Sequence, residues 1–79
     1  MFIVMKELVF LGRIYDHHKG GKYLVLHIAE ESTNARIREK GVVYVSLTYG
    51  TIKYRKLEEF LEEVVWPDRI RRPRFVLEQ

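Results

Sequence analysis

Two adjacent glycines, Gly20 and Gly21, separate two runs of β-branched and aromatic residues, "ELVFLGRIYDH" and "YLVLHIAE". Such side chains favour strands, and a glycine pair is a preferred two-residue hairpin turn. The pattern therefore predicts an antiparallel hairpin with the glycines at its tip. This register places Lys19 opposite Lys22 and His18 opposite Tyr23.

A second predicted hairpin joins "GVVYVSLT" to "TIKYRK" around Tyr49-Gly50. Glycine suits the second turn position, but tyrosine is unusual at the first, so a longer loop remains open. A tight turn would divide the side chains between two faces. One face is apolar and is predicted to be core: Val45, Leu47, Ile52 and Tyr54. The other is predicted to face solvent: Tyr44, Ser46, Lys53 and Arg55.

The segment "LEEFLEEVV" carries apolar residues at helical spacing, which predicts a two-turn amphipathic helix over residues 57–65 that ends at Trp66-Pro67. Phe60 should face the sheet. The polar segment "ESTNARIREKG" is predicted to be a loop with one helical turn, and "PRFVLEQ" a last short strand. Residues 1–79 then form a single mainly β domain: a small, strongly bent antiparallel sheet or barrel with one short helix before the last strand.

The 79 residues include no cysteine, so one modest core must supply the stability without disulfides. No apolar run reaches the roughly 18 residues of a membrane span, and "MFIVMKELVF" lacks the features of a signal peptide. We therefore expect a cytoplasmic protein with no membrane partner. One Asn and one Gln among many Glu, Lys and Arg residues resemble a thermophile composition. The net charge of +3 permits an anionic partner without demanding one.

The segment "RIYDHHKGGKY" admits three interpretations: a metal site, a phosphate cradle or a plain turn. Adjacent strand residues point to opposite faces, so His17 and His18 are poorly placed to share an ion, and we predict no metal or other cofactor. The glycine amides and the flanking lysines would suit an anion, although no helix follows them. The cradle and the plain turn both stay open.

The predicted solvent face of the second hairpin combines Tyr44 with Lys53 and Arg55, which suits stacking on a base and pairing with a phosphate. An ordinary wet sheet face is the alternative interpretation. No Ser-His-Asp arrangement is evident, and His17 or Asp16 would lack a nucleophile as a catalytic base. We therefore do not expect an enzyme; a small hydrolase or nuclease would need a metal or base that the sequence does not reveal.

Several motifs resemble those of a small prokaryotic family, domain of unknown function 1653. They are "GRIYDHHKG" with Tyr15, His17, Lys19 and Gly20, "VVY" ending at Tyr44, "YRKLEEF" with Arg55, Leu57 and Phe60, and "PRF" with Arg74 and Phe75. Two features differ: His18 replaces the family's tyrosine, and the tryptophan and proline of its Trp-x-Arg-Pro element are missing. The resemblance implies an SH3-like barrel and no particular reaction.

These observations lead to a hypothesis of a binding module that recognises a phosphate-bearing ligand, either nucleic acid or a nucleotide. The candidate ligand-binding residues are Tyr15, His17, Lys19, Gly20, Tyr44, Arg55 and Arg74. The alternative is a protein-interaction or scaffold module that uses an apolar surface or a free sheet edge. A homo-oligomer is compatible with either hypothesis.

Overall fold

The computed structural model describes residues 9–30 and 39–79, and within them the chain is mainly β. The elements are β1 (Ile14–His17), β2 (Lys22–Glu30), β3 (Lys40–Ser46), β4 (Ile52–Lys56), α1 (Leu57–Phe60), β5 (Glu63–Val65), β6 (Arg71–Pro73) and β7 (Phe75–Leu77). A five-stranded antiparallel sheet has the order β4-β3-β2-β1-β7, and β5 and β6 form a separate two-stranded sheet. The predicted mainly β class and antiparallel pairing are confirmed.

One face of the five-stranded sheet carries an aromatic core. Phe60 and Phe75 stack with ring centroids 4.1 Å apart and an interplanar angle of 2°. The rings of Tyr15 and Tyr44 meet Phe60 edge-on at 5.4 and 5.6 Å. Phe60 is fully buried, with Leu57 and Leu61 packed beside the core, which confirms the predicted orientation of this segment toward the sheet.

The predicted assignment of the β3 and β4 faces is wrong. The face of Tyr44 and Ser46 is buried, whereas Ile52 and Tyr54 are 66% and 52% exposed. Both faces of this hairpin carry apolar residues, so alternation alone does not select the inner one. The ring of Tyr44 points inward, where it meets the stacked Phe60 and Phe75 rings edge-on and completes the aromatic core.

The β3–β4 register also differs from the tight-turn prediction by two residues, with Tyr44 opposite Lys53 and Val45 opposite Ile52. The longer loop left open by the sequence is the one observed. Ser46 Oγ accepts the backbone N–H groups of Thr48 at 3.2 Å and Tyr49 at 3.0 Å. The buried Ser46 therefore organises this loop and does not contribute to an exposed patch.

The first hairpin is likewise wider than predicted. Strand β1 pairs Tyr15 with Tyr23 and Asp16 with Lys22, so residues 18–21 form the connection. The predicted pairing of His18 with Tyr23 is therefore wrong. The strand predicted within "ELVFLGRIYDH" begins later than expected, because Leu11 and Gly12 form a turn before β1 starts at Ile14.

The predicted two-turn helix is limited to α1, and Glu63–Val65 forms strand β5. Helices this short have little intrinsic stability, and adjacent valines favour strands. The β5–β6 hairpin supplies competing contacts. The Trp66 Nε1–H donates to the Pro73 carbonyl at 3.0 Å, and Arg72 forms two hydrogen bonds of 3.0 and 2.6 Å with Asp68.

The polar loop predicted over residues 31–41 lies mostly outside the described residues, since positions 31–38 fall between the two described ranges. The first eight residues are outside them as well. In the described portion, no helix has the length and apolar character needed to cross a membrane.

Candidate functional site

The connection from β1 to β2 is a compact turn closed by its own backbone. The Gly20 N–H donates to the His17 carbonyl at 2.8 Å, and the His17 N–H donates to the Gly21 carbonyl at 3.1 Å. Both glycines have positive φ, 101° at Gly20 and 92° at Gly21, a region that side chains with a Cβ rarely adopt. The glycine pair is therefore needed for the shape of this turn.

The turn's amides have little capacity left for an anion. The His18 N–H donates to the Arg74 carbonyl at 3.1 Å, and the Lys19 N–H donates to His17 Nδ1 at 3.1 Å. With the Gly20 N–H also committed, three successive amides already have acceptors within the protein. This favours the plain turn over the glycine phosphate cradle. Gly20 therefore shapes the turn and has no amide left to bind a ligand.

His17 lies where the turn meets the core. Its ring centroid is 4.7 Å from that of Phe75 and 4.5 Å from that of His18. Because Nδ1 accepts the Lys19 N–H, we assign the proton of the neutral ring to Nε2. The pKa of His17 is lowered from 6.5 to about 4, mainly by burial and then by the nearby charges of His18 and Arg55.

Three cations converge on the two histidines from separate segments of the chain. We call Lys19, from the turn, Arg55, from β4, and Arg74, between β6 and β7, the cationic cluster. The pKa of His18 is lowered by burial and then by these three charges, and all three also act on His17. The structure thus brings together four of the predicted site residues: His17, Lys19, Arg55 and Arg74.

Arg55 is partly exposed and is held by aromatic neighbours. Its Nε donates to the Tyr44 hydroxyl at 3.4 Å, and its Cζ lies 5.8 Å from the Phe75 ring centroid. In residues 9–30 and 39–79, no carboxylate forms a salt bridge with Arg55. Its charge is therefore positioned by the protein without being neutralised by these neighbours.

Arg74 has a larger structural role. Its Nε donates to the Glu59 carbonyl at 2.9 Å, and its Nη2 donates to the Glu62 carboxylate at 2.7 Å. Its backbone N–H also donates to the Glu62 carbonyl at 2.7 Å. These contacts tie the end of α1 to the segment before β7, so Arg74 has less capacity for a ligand than Arg55.

Tyr15 and Tyr44 belong to the core. Each is 3% exposed, and the Tyr15 hydroxyl accepts the Phe10 N–H at 3.0 Å. A ring buried to this extent has no open face for a base, so the predicted stacking role of Tyr44 is wrong. Its hydroxyl instead orients Arg55.

Two aromatic residues at the site were missed by the sequence reasoning, Tyr23 and Phe75. Their ring centroids are 5.6 Å apart, and both rings contact those of His17 and Tyr44. Phe75 lay within the quoted "PRF" motif but was not assigned a role. The signal for Tyr23 was its proximity to the glycine turn.

His18 contributes a buried polar atom at this site. Its Nδ1 has no hydrogen-bond partner among the described residues, and its ring centroid lies 6.4 Å from that of Trp66. The described residues contain no group of three His, Asp or Glu side chains suited to a metal ion. The local chemistry is thus that of two imidazoles with lowered pKa values beside the cationic cluster.

Comparison with known proteins gives one result. No curated protein and no solved structure matches the chain. A family described as "Protein of unknown function (DUF1653)" matches residues 13–77, a span that contains every residue of the cationic cluster and both histidines. The chain belongs to this family.

Proposed function

We propose that this protein is a binding module that recognises the phosphate group of a nucleic acid or nucleotide through the cationic cluster. The observation that carries the proposal is the convergence of Lys19, Arg55 and Arg74 beside two histidines. The Lys19 N–H donates to His17 Nδ1, the Arg74 carbonyl accepts from the His18 N–H, and Arg55 lies over the Phe75 ring that His17 contacts. Cations held close together despite their mutual repulsion are well suited to an anion. The planar fork of arginine also matches two phosphate oxygens at once.

Arg55 is the central residue of this proposal. Its Nε is occupied by Tyr44, which orients the guanidinium and leaves the two terminal nitrogens for a ligand. Lys19 is exposed and contributes charge without a fixed geometry. Arg74 adds to the local potential, while its contacts with Glu59 and Glu62 maintain the site's shape.

Protonation of the two histidines should be coupled to binding of an anion. Both rings have lowered pKa values, so they are neutral at pH 7 in the free protein. A bound phosphate would offset the repulsion from the cationic cluster and raise those pKa values. We therefore expect affinity for phosphate to increase as the pH falls below 7, as long as the domain remains folded.

We also propose that the five-stranded sheet curls toward the SH3-like barrel implied by the family resemblance. The supporting observation is a β-bulge in β2 between Val25 and His27, because a bulge bends a strand and increases its twist. An experimental structure tests this proposal. Strands β4 and β7 lying apart in a flat sheet would contradict it.

Substitution of Arg55 tests the binding proposal. The probe is a fluorescein-labelled oligouridylate followed by anisotropy, with ATP as a competitor. Arg55→Lys keeps the charge but loses the fork, so we expect affinity to fall about ten-fold with little change in melting temperature. Arg71→Lys is the matched control, because Arg71 is exposed on β6 and lies 3.8 Å from Glu63.

Salt dependence identifies the class of ligand. Binding of the single strand should weaken with a log-log slope of about −0.7 for each phosphate contacted. Competition by ATP with little effect of strand length would indicate a nucleotide. A stable Arg55→Ala variant that binds both probes as tightly as the parent would overturn the proposal.

A further inference from the structure

Strand β4 lies at one edge of the five-stranded sheet. It pairs with β3 through the register from Gly41↔Lys56 to Val45↔Ile52, and none of the described strands pairs with its other side. Backbone N–H and C=O groups at such an edge can accept another extended chain. The chemistry of this edge indicates what kind of chain would fit.

The backbone groups that point outward follow from the hydrogen bond between the Ser46 N–H and the Thr51 carbonyl, 3.0 Å long. In an antiparallel pair, hydrogen-bonded and non-hydrogen-bonded positions alternate. Lys53 and Arg55 therefore direct their backbone groups toward β3. Ile52 and Tyr54 direct theirs away from the sheet, toward the open edge.

The side chains of β4 alternate in the same way. Ile52 and Tyr54 are large, apolar and mostly exposed on one face. Lys53 and Arg55 lie on the other face, and the strand contains no acidic residue. An added strand would therefore meet apolar anchors on one face and two positive charges on the other.

This charge pattern disfavours a second copy of the same strand. Antiparallel pairing of β4 with itself about Tyr54 would place Lys53 opposite Arg55 of the other chain, and like charges directly opposite are destabilising. Lysine on an edge strand commonly prevents such self-association. The third cation of β4, Lys56, is paired within the protein, since its ammonium lies 3.7 Å from the Glu39 carboxylate.

We propose that the edge of β4 binds an extended acidic segment of another protein as an added antiparallel strand. Alternate carboxylates of that segment face Lys53 and Arg55, and the intervening apolar side chains pack on Ile52 and Tyr54. The backbone N–H and C=O groups of Ile52 and Tyr54 provide the main-chain hydrogen bonds, as in other strand-addition complexes. This surface shares Arg55 with the cationic cluster, but its main-chain contacts and apolar anchors come from Ile52 and Tyr54, which lie outside that cluster.

Amide hydrogen exchange on the parent protein tests the proposal directly. The probe is a synthetic eight-residue peptide that alternates Glu and Val, and a Lys–Val peptide of the same length is its control. We expect saturating Glu–Val peptide to slow exchange of the Ile52 and Tyr54 amides, whereas the Lys53 and Arg55 amides are already protected by β3. No added protection at Ile52 and Tyr54, or equal protection by the Lys–Val peptide, would overturn the proposal.

Three substitutions outside the cationic cluster add to this test. Ile52→Pro removes one outward N–H while leaving the bonds to β3 intact, so affinity for the Glu–Val peptide should fall about ten-fold. Ile52→Val keeps that N–H and should retain at least half the affinity. Lys53→Glu should reverse the preference toward the Lys–Val peptide.

The alternative occupants give different results. Concentration-dependent dimerisation that protects Ile52 and Tyr54 without peptide would show that a second copy occupies the edge, against the proposal. Loss of oligouridylate binding in Ile52→Pro would assign the edge to nucleic acid and would equally overturn it. Arg55→Lys separates the two proposals, because lysine loses the fork that binds phosphate but keeps the positive charge that faces a carboxylate, so the peptide should still protect the Ile52 and Tyr54 amides.

Discussion

Substitution of Gly41 should have opposite effects on stability in two backgrounds. A Cβ at Gly41 would overlap the ring of Tyr54, which lies across this glycine from the neighbouring strand. The glycine does not have positive φ, so its backbone accepts alanine without strain. The cost of Gly41→Ala should therefore arise from displacement of the Tyr54 ring.

The magnitude follows from the area that the ring covers. Tyr54 is 52% exposed, so about half of its surface is buried. Half of roughly 200 Å² at about 25 cal/mol/Å² gives an upper limit of about 2.5 kcal/mol. The displaced ring retains some contacts, and we expect Gly41→Ala to reduce the free energy of unfolding by about 1–2 kcal/mol.

The second background removes the ring. In Tyr54→Ala, the same Gly41→Ala change should increase the free energy of unfolding by about 0.5–1 kcal/mol, because alanine restricts the unfolded chain more than glycine does. Urea unfolding of the parent, both single variants and the double variant gives the coupling energy. Equal destabilisation by Gly41→Ala in both backgrounds would refute the reasoning.

Three further predictions concern the core, the histidine turn and the β5–β6 hairpin. Phe60→Ala should cost about 3–5 kcal/mol in urea unfolding, whereas Glu59→Ala, which keeps the carbonyl that accepts from Arg74, should stay within about 0.5 kcal/mol; equal losses would contradict this packing. His17 has a folded pKa of about 4 against 6.5, so its neutral form stabilises the fold above pH 6.5 and this stabilisation is lost as pH falls toward 4. In melting curves across this range, His17→Gln should be less sensitive to acid than the parent, and an unchanged dependence would contradict the assignment. Arg69 has a φ of 71°, so Arg69→Gly should increase the free energy of unfolding by about 0.5–1 kcal/mol, and a lower urea midpoint would argue against strain there.

Local sequence patterns predicted which segments are strands better than they predicted how those strands pair. Gly20-Gly21 and Gly50 marked both hairpins correctly, but each connection is longer than two residues. The two registers follow from side-chain and backbone contacts within the loops, such as those of Ser46 Oγ, which composition does not reveal. Strand pairing therefore needed information about loop hydrogen bonds.

Tyrosine was the main source of error at the site. Tyr44 was assigned to the solvent face because the opposite face of its hairpin is apolar in sequence, and Tyr15 was included through the family resemblance. In the described ranges, the Tyr15 hydroxyl instead accepts the Phe10 N–H and the Tyr44 hydroxyl accepts from Arg55 Nε, and these hydrogen bonds permit burial of the rings. The convergence of Arg55 with the histidine turn was predictable only through the family resemblance, since these residues are distant in sequence.

The predicted helix was too long because its periodicity took no account of strand pairing. Periodicity placed Val64 on the same face as Phe60, and the glutamates on the opposite face strengthened that pattern. The pattern carried no information about the partner strand β6, whose Arg72 and Pro73 pair with Val64 and Glu63. Hairpin pairing with the next strand therefore outweighed the helical preference of this short segment.

The central position of β1 has a consequence for synthesis of the chain on the ribosome. Strand β1 lies between β2 and β7, and Tyr15 pairs with Leu77 in β7, which is translated after all the other described strands. Phe75, which fills the middle of the core, also belongs to that final strand. A nascent chain can form the β2–β3–β4 meander early, but it cannot close its core until β7 leaves the exit tunnel. Stalled chains that end before Phe75 should consequently be cut by protease at β1, whereas chains extended past Leu77 by a linker that spans the tunnel should resist it.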